Sequence, residues 1–470
     1  MDKRLVFLPV RQLSELVRTR QVSPVELAEG FLSRLEELGP RYNAVVTVTR
    51  ERAMRQARHA EAEIRAGVYR GPLHGIPYGA KDLLATSEGI PTTWGAAPFR
   101  QQTFEEDATV VRRLEEAGAV LAAKLSMVEL AGGMGYRQPN ASFTGPGITP
   151  WGANAWSGGS SSGSGASVAA GLVPFAIGSE TWGSILSPAN NCGVAGLRPT
   201  YGRVSRHGAM ALSWTLDKLG PLGLTADDCG LVLEAIAGYD AKDPSTAQRP
   251  FRYDVPTGRD APGRRFRLGV LRGVTDGAQE AVVKNFQEAL HVLGQMADIE
   301  EVTLPDMPYE ATTRIILMAE SAAAFDEFIE SGGTVGLTAP EDRYGGYART
   351  AVLAKDYLRA LRIRGLMARA VDEVMARYDA LVAPTRPTVA PPLDREFRSV
   401  LGGGARDLMG AVGNGAGLPA ISVPNGFGEG GMPTGVQFMG RAFEENQVLA
   451  AARAYQSLTD WHTRRPGEAL

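Results

Sequence analysis

The chain has 470 residues, of which 44% are hydrophobic and 21% are charged, as in an ordinary globular protein. Its net charge of -3 leaves no electrostatic footprint for nucleic acid or for an anionic membrane surface. No stretch is long and apolar enough to span a membrane, and the first apolar run is too short for a secretion signal. We therefore expect a cytoplasmic protein with no nucleic-acid partner and no membrane partner.

Helices and strands alternate along the whole chain. The clearest helix start is Ser23-Pro24-Val25-Glu26, where Ser23 can cap the helix and Glu26 can close a capping box. The alternation predicts an α/β architecture with a largely parallel or mixed sheet. The predicted helices are 8–18, 23–38, 50–66, 109–118, one that begins at 126–130, 226–237, 276–296, 357–377 and 444–459. The predicted strands are 43–49, the segment that ends at Lys81, 119–124, 267–271, 299–304, 380–384, 417–424 and 435–439.

Three segments interrupt this alternation. Residues 132–155 form a long loop with glycine and proline, and loops of that length are often functional. Trp151 in this loop and Trp156 just after it fit either a wall that faces a substrate or a place in the core. Residues 213–221 have no clear period, and 241–260 form a polar excursion or linker.

Lys81 lies in a short strand among small and apolar residues. Burial of a lysine is costly, but it lowers the pKa of the amine and makes a neutral base available. The alternative is a structural lysine that pairs with the neighbouring Asp82. A second lysine, Lys124, stands at a strand end and is expected to be structural.

Two glycine- and serine-rich loops flank one apolar segment at 156–205. The first loop spans 158–165, the apolar segment 166–177 and the second loop 178–184. A serine after glycine in a tight turn exposes its hydroxyl beside backbone N–H groups that can bind an oxyanion. Gly/Ser runs are also typical of flexible linkers. The apolar segment between the two loops favours a nucleophile site over a linker.

Cofactor sites are not indicated. The two cysteines, Cys192 and Cys229, match no metal or redox spacing and read as reduced core thiols. The five histidines form no pair one helical turn apart, and there is no Gly-Lys-Ser or Gly-Lys-Thr phosphate loop. The spaced glycines at 163–171 precede no acidic ribose-binding residue at the right distance. We expect no metal and no organic cofactor.

One nucleophile scheme follows from Gly159-Ser160-Ser161-Ser162-Gly163, which matches the G-x-S-x-G elbow of α/β-hydrolases. Ser161 would then be the nucleophile of an esterase and His462 its base. The segment before the motif does not read as a strand, although an elbow requires one, and a serine-rich loop meets the pattern easily by chance.

A second scheme, in which the base is a lysine, comes with a resemblance that covers nearly the whole chain. Gly71-Pro72-Leu73-His74-Gly75-Ile76-Pro77, followed by Lys81-Asp82, is similar to the lysine motif of the amidase signature family. Residues 158–163 resemble the first serine loop of that family, and 178–184 with 192–205 resemble the second. Residues 416–424 and 459–462 resemble its ending.

The resemblance implies one α/β/α domain over residues 1–470, with a central mixed, twisted sheet flanked by helices. Its core motifs would be 71–205 and 379–462, and about 240–378 would vary to shape the substrate pocket. The family pattern makes Lys81 the base, Ser160 the relay serine after a cis peptide bond, and Ser184 the nucleophile. Ser160 and Ser184 are 24 residues apart, as in the family. Backbone N–H groups of the second loop would form the oxyanion hole: Thr181, Trp182, Gly183 and Ser184.

The second loop departs from the family at two positions. Trp182 replaces a glycine of the usual Asp-Thr-Gly-Gly-Ser, so an aromatic side chain narrows or covers the acyl pocket. Leu186 stands where an arginine is frequent. Neither change removes a catalytic group. The residues expected to contact substrate are Met134, Gly135, Trp156, Trp182 and Asp407.

The resemblance implies an amidase with a Ser-cisSer-Lys triad that acts on small aryl or alkyl amides, with carbamates (urethanes) as a further class. A monomer or homodimer is expected, with a small-molecule amide or carbamate as its substrate. The alternative is the glutaminase component of a tRNA-dependent amidotransferase, which releases ammonia from glutamine within a complex. Asp407 stands where the glutamine-binding aspartate of that component lies, but 339–355 shows no recognisable form of the accompanying arginine motif.

Overall fold

One mixed β-sheet runs through the described residues, which are 3–135, 137–254, 265–401 and 407–467 of a computed structural model. The strand order is β1-β3-β2-β4-β6-β5-β10-β11-β9-β7-β8. The predicted α/β fold with a central mixed sheet and flanking helices is confirmed. The strands are β1 (Val45–Val48), β2 (Pro77–Lys81), β3 (Val120–Leu125), β4 (Phe175–Glu180), β5 (Ala195–Arg198), β6 (Lys218–Gly223), β7 (Phe266–Leu271), β8 (Ala297–Val302), β9 (Ala380–Pro384), β10 (Ala420–Phe427) and β11 (Pro433–Met439).

Most consecutive strands are separated by at least one helix in the chain order. In the second helix, Ser23 and Glu26 form the predicted capping box. The α-helices of the described residues are α1 (Val10–Arg18), α2 (Pro24–Leu38), α3 (Arg50–Arg65), α4 (Thr109–Glu116), α5 (Ser162–Ala169), α6 (Leu186–Cys192), α7 (Ala226–Ile236), α8 (Glu280–Leu293), α9 (Tyr309–Ala324), α10 (Asp326–Glu330), α11 (Asp342–Arg349), α12 (Ala354–Met375), α13 (Phe397–Leu401), α14 (Leu408–Gly415) and α15 (Glu445–Ser457). Within these residues no helix combines the length and apolarity that crossing a membrane requires.

Both faces of the sheet are buried. In β3, Leu121 belongs to one apolar cluster while Val120 and Ala122 belong to another, because successive side chains point to opposite faces. The same alternation separates Phe175 from Ala176 in β4. Strands of a sheet that is covered on both faces are mostly apolar. The charged residues Lys81 at the end of β2 and Glu180 at the end of β4 are therefore exceptions.

Strand pairing brings the two sequence motifs together. β2 and β4 are parallel neighbours, with Tyr78 opposite Phe175 and Ala80 opposite Ile177. The carboxyl ends of parallel neighbours lie at the same edge of a sheet. The last residue of β2, Lys81, therefore meets the end of β4 and the turn that carries Ser184.

One predicted helix does not form, and the sequence analysis did not predict β4, β5 and β6. Residues 126–130 do not begin a helix. A short 3₁₀ turn forms at Glu129–Gly132, where Leu130 and Ala131 have positive φ values of 49° and 55°. The aperiodic segment 213–221 contains the start of β6, because this strand is buried throughout and its sequence lacks alternation. Of the excursion 241–260, residues 255–260 lie outside the described part of the chain.

Candidate active site

Lys81 is fully buried, and its amine contacts three serine hydroxyls. Lys81 Nζ lies 2.7 Å from Ser160 Oγ, 3.0 Å from Ser161 Oγ and 2.8 Å from Ser179 Oγ. Two of these serines come from the first glycine-serine loop, and the third comes from β4. The structure thus places the lysine motif and both serine loops around one amine.

Asp82 does not pair with Lys81, so the alternative of a structural Lys81–Asp82 pair was wrong. The Asp82 carboxylate lies 3.1 Å from Lys124 Nζ, and both side chains are fully buried. It also accepts hydrogen bonds from the backbone and side chain of Thr93. Asp82 is the first residue after β2, and its contacts with Lys124 and Thr93 place its side chain away from the serine loops. Lys124, which the sequence predicts to be structural, is the partner of Asp82 instead.

Burial lowers the pKa of Lys81 to about 7, although Asp217 and Glu180 act in the opposite direction. An amine with this pKa is largely neutral just above pH 7, and a neutral amine can accept a proton. Its three hydroxyl neighbours carry no charge that would hold the ammonium form. This environment allows Lys81 to accept a proton from a neighbouring hydroxyl.

Ser160 follows a cis peptide bond with Gly159, as the family resemblance implies. The preceding Gly158 has φ +85°, and a Cβ there would lie 2.7 Å from Pro188 N. A Cβ on Gly159 would lie 2.6 Å from the Trp156 ring. The two glycines thus let the first loop pass between α6 and a tryptophan.

Ser184 lies in the turn between β4 and α6, with its side chain mostly buried. The preceding Gly183 has φ +83°, a conformation that favours glycine. The Ser184 carbonyl accepts a hydrogen bond of 3.2 Å from the Ser161 amide, and this bond joins the two loops. The first three residues of the predicted second loop, from Gly178, belong to β4 instead.

Glu180, the last residue of β4, stabilises this turn through hydrogen bonds to backbone amides. The sequence analysis did not identify it as a site residue. Its carboxylate accepts hydrogen bonds from the amides of Ile185 at 2.9 Å and Leu186 at 3.0 Å, and from Arg198 Nη1 at 2.8 Å. Burial raises its pKa, but Arg198 and Lys218 outweigh that effect and lower the pKa to about 2. The signal that could have found it is an acidic residue at the end of an otherwise apolar strand.

Asp217 is a second buried acid that sequence reasoning missed. It accepts a hydrogen bond of 2.5 Å from Thr181 Oγ1 and others from the amides of Leu212 and Ser213 at 2.8 and 2.9 Å. Thr181 is thereby fixed at the first position of the predicted oxyanion turn. Asp217 stands in the segment whose aperiodic sequence hid its role.

A cavity of about 150 Å³ adjoins both serine loops. Gly159 and Gly183, which directly precede Ser160 and Ser184, lie in its wall. The other lining residues are Trp156, Trp182, Ser187, Asn191, Arg386, Thr388, Pro391, Phe397 and Val400. We call this space the aromatic cavity.

The residues expected to contact substrate fall into two groups. Trp156 and Trp182 line the aromatic cavity, and Asp407 accepts a hydrogen bond of 2.8 Å from Trp182 Nε1. Met134 is instead buried in the core, and a Cβ on Gly135 would lie 3.2 Å from Arg349 Nη2. The structure therefore does not place Met134 and Gly135 in the wall of this cavity.

The Ser161 hydroxyl is occupied by other partners. It accepts from Lys81 and from the Ser179 amide at 3.2 Å, and it contacts the Ser179 carbonyl at 3.2 Å. His462 lies in a 3₁₀ turn after α15, where burial and Arg465 lower its pKa. Among the hydrogen bonds of the described residues, none joins Ser161 to His462.

The chain is similar to known proteins over nearly its whole length. The family model described as Amidase matches residues 26–449. The chain is 37% identical to the A subunit of the glutamyl-tRNA(Gln) amidotransferase of Moorella thermoacetica, over 98% of this chain and 99% of that relative.

Two solved structures resemble it as well. The native peptide amidase of Stenotrophomonas maltophilia superposes with a TM-score of 0.82 at 31% identity, covering 97% of this chain and 98% of that chain. The A subunit of the glutamyl-tRNA(Gln) amidotransferase of Thermotoga maritima superposes with a TM-score of 0.79 at 29% identity, covering 97% and 95%. The resemblance inferred from the motifs therefore extends to sequence and fold together.

Proposed function

This chain belongs to the amidase signature family, and we propose that it breaks an amide C–N bond through an acyl-enzyme formed on Ser184. The observation that carries the proposal is the buried Lys81 amine, 2.7 Å from Ser160 Oγ, with its pKa lowered to about 7. Burial removes the competing water, and the lowered pKa supplies a base near neutrality.

The proposed reaction begins with proton transfer. Neutral Lys81 takes the proton of Ser160, and Ser160 takes that of Ser184, whose oxygen attacks the amide carbon. The C–N bond breaks as the relay returns a proton to the leaving nitrogen. Water then attacks the ester carbon, and the same relay carries its proton until the acid leaves and Ser184 is restored.

We assign the oxyanion of both tetrahedral intermediates to the N–H groups of the turn from Thr181 to Ser184. Backbone donors in a buried turn need no reorganisation during the reaction, which is what makes such a site effective. Asp217 fixes one end of the turn through Thr181, and Glu180 fixes the other through the amides that follow Ser184. Together these two acids hold the turn rigid.

For the substrate, one candidate is a small neutral amide cleaved by the chain alone. The wall of the aromatic cavity carries three aromatic side chains, from Trp156, Trp182 and Phe397. Arg386 Nη1 lies 3.7 Å from the Asp407 carboxylate and offsets its charge. About half of the cavity lining is polar, but a compact cavity with three aromatic side chains in its wall favours an uncharged aryl or alkyl acyl group. Carbamates present the same carbonyl to Ser184.

The second candidate is glutamine hydrolysis within an amidotransferase complex. The names of the curated relatives support this candidate more than the first, since the relative of Moorella thermoacetica is named as one component of an amidotransferase. Asp407 also stands beside the cavity, and Arg349 lies in the stretch 339–355 where an accompanying arginine is expected. Against it, the Arg349 guanidinium donates to Ser321 Oγ at 2.5 Å and to the Gly132 carbonyl at 3.3 Å, away from the aromatic cavity.

Amine and ammonia release by the purified chain tests the proposal and separates the two candidates. The panel holds a nitroanilide of a short acid, an aryl carbamate, benzamide and glutamine, each with wild type and with Ser184→Ala. Turnover of any member that disappears in Ser184→Ala supports amide hydrolysis through Ser184. Turnover of anilide, carbamate or benzamide identifies a stand-alone hydrolase, whereas turnover of glutamine alone identifies the amidotransferase component. Full activity of Ser184→Ala would refute the mechanism.

A further inference from the structure

The aromatic cavity is small and partly open to solvent, and Trp182 forms part of its wall. Its volume of about 150 Å³ matches engineered apolar cavities that accept benzene. Trp182 stands in the turn at the point where the cavity approaches Ser184. The family pattern has glycine at this position, so the indole occupies space that is otherwise open.

Two contacts fix the orientation of Trp182. Its Nε1–H donates to Asp407 Oδ2 at 2.8 Å, and the guanidinium of Arg314 lies 5.6 Å from the ring centroid. Asp407 is itself held in place, because its other oxygen accepts from the Gly410 amide at 3.0 Å and caps α14. The hydrogen bond at Nε1 and the cation–π contact with Arg314 together fix the Trp182 ring as a wall of the cavity.

The wall formed by Trp156 is also fixed. The ring of Trp156 stacks on Phe397 with centroids 4.5 Å apart and an angle of 28° between the planes. The same indole packs on Gly159, where a Cβ would come within 2.6 Å. The cavity therefore cannot widen on this side without breaking an aromatic pair.

We propose that Trp182 determines the acyl specificity of this enzyme: it limits the acyl group to about one six-membered ring and withholds the Asp407 carboxylate from the substrate. The inference rests on the proposed function, since it concerns the acyl group that Ser184 would receive. The indole N–H and the Arg386 guanidinium, both in the cavity wall, lie 2.8 and 3.7 Å from the same carboxylate oxygen, Asp407 Oδ2. An acyl group that carries an ammonium could not pair with the Asp407 carboxylate, because Trp182 and Arg386 already contact it. A neutral ring needs no such partner.

The test compares benzamide with 2-naphthamide, whose acyl groups differ by one fused ring. Wild type should have kcat/KM at least about tenfold higher for benzamide, because a ring that does not fit must displace a fixed wall. Trp182→Gly should abolish this preference, and Trp182→Leu should reduce it. Trp182→Phe is the matched control, which keeps an aromatic wall and should keep most of the preference. An unchanged ratio in both Trp182→Gly and Trp182→Leu would overturn the proposal.

Binding to Ser184→Ala gives a second measurement that does not need turnover. Calorimetry with the same two amides should show tighter binding of benzamide, and the difference should vanish when Trp182→Gly is added. Equal affinities before that change would contradict the size limit. If Ser184→Ala binds benzamide more tightly than 2-naphthamide but the wild type turns over neither amide, the proposed function alone is refuted. If the wild type turns over the amides normally and Trp182→Gly keeps the preference for benzamide, this inference alone is refuted.

Discussion

The proposed base, Lys81, must have a neutral amine to accept a proton, so its burial predicts how activity depends on pH. Burial lowers the pKa to about 7, and the neutral fraction therefore grows as pH rises through this value. We expect kcat/KM to increase about tenfold per pH unit below pH 7 and to level off above it. Steady-state rates between pH 5 and 9 measure this profile. An activity that does not change below pH 7 would contradict a lysine base.

Replacement of Lys81 by methionine keeps the bulk of the side chain and removes the amine. We expect a loss of about 10³-fold or more in kcat/KM, since no other base lies within hydrogen-bond distance of Ser160 in the described residues. His462→Ala is the matched control and should keep wild-type activity, because none of the hydrogen bonds of the described residues joins His462 to the serine loops. A large loss in His462→Ala with little change in Lys81→Met would restore the esterase scheme through Ser161.

The sequence predicted the three central residues of the site, and the structure brings the expected loops together. Glycines and serines mark the two tight turns in the sequence itself, whereas the choice of Lys81, Ser160 and Ser184 came from the family resemblance. Asp217 could not be found, because its function depends on the amides of a loop that has no regular pattern. The catalytic roles remain predictions, which variants of Lys81 and Ser184 test.

At the scale of single elements, Glu180 joins β4 to α6. Its carboxylate binds two amides after Ser184 and the buried guanidinium of Arg198, so it positions the turn without contact to a reacting atom. We expect Glu180→Gln to destabilise the fold by about 3 kcal/mol, because Arg198 would be left as an uncompensated buried charge. It should also lower kcat more than it raises KM. Thermal unfolding and steady-state kinetics measure the two effects, and Glu180→Asp, which keeps the charge, should recover part of both.

The charge of Glu180 also predicts how the free energy of unfolding changes with pH. Its pKa in the folded protein, about 2, lies below the ordinary value of 4.5. The carboxylate therefore contributes stability that is present above pH 4.5 and is lost as pH falls toward 2. Glu180→Gln should flatten the acid limb of a plot of unfolding temperature against pH. An identical acid limb in the variant would show that the carboxylate does not carry this stabilisation.

Helices and strands were predicted accurately where the local sequence carries a clear signal, such as a capping box or an alternating pattern. The helix from Pro24 has a capping box and was predicted to its last residue, whereas the turn at Glu129–Gly132 was taken for a helix. Gly132-Gly133 is a local turn signal, but the left-handed conformations of Leu130 and Ala131 could not be predicted from the sequence, because both residues are held by tertiary contacts. β6 was missed for a similar reason, since a strand buried on both faces carries no alternating pattern.

At the scale of the whole molecule, the continuous sheet leads us to propose that the chain unfolds as one unit. Leu121 in β3 and Phe438 in β11 lie far apart in the strand order, yet both belong to the same apolar cluster. Leu121→Ala and Phe438→Ala should each destabilise the protein by about 3 kcal/mol and shift one common transition. Circular dichroism and tryptophan fluorescence should report the same midpoint. Two transitions, of which each variant moves only one, would contradict a single domain.

The proposed mechanism depends on Ser184 as the nucleophile, and it predicts an acyl-enzyme that can be detected directly. Wild type mixed with the nitrophenyl ester of benzoic acid should gain the mass of one benzoyl group in intact-protein mass spectrometry. Peptide mapping should place that group on Ser184. Ser184→Ala should gain nothing, and Lys81→Met should acylate far more slowly. A benzoyl group found on Ser161, or equal labelling of Ser184→Ala, would contradict the mechanism.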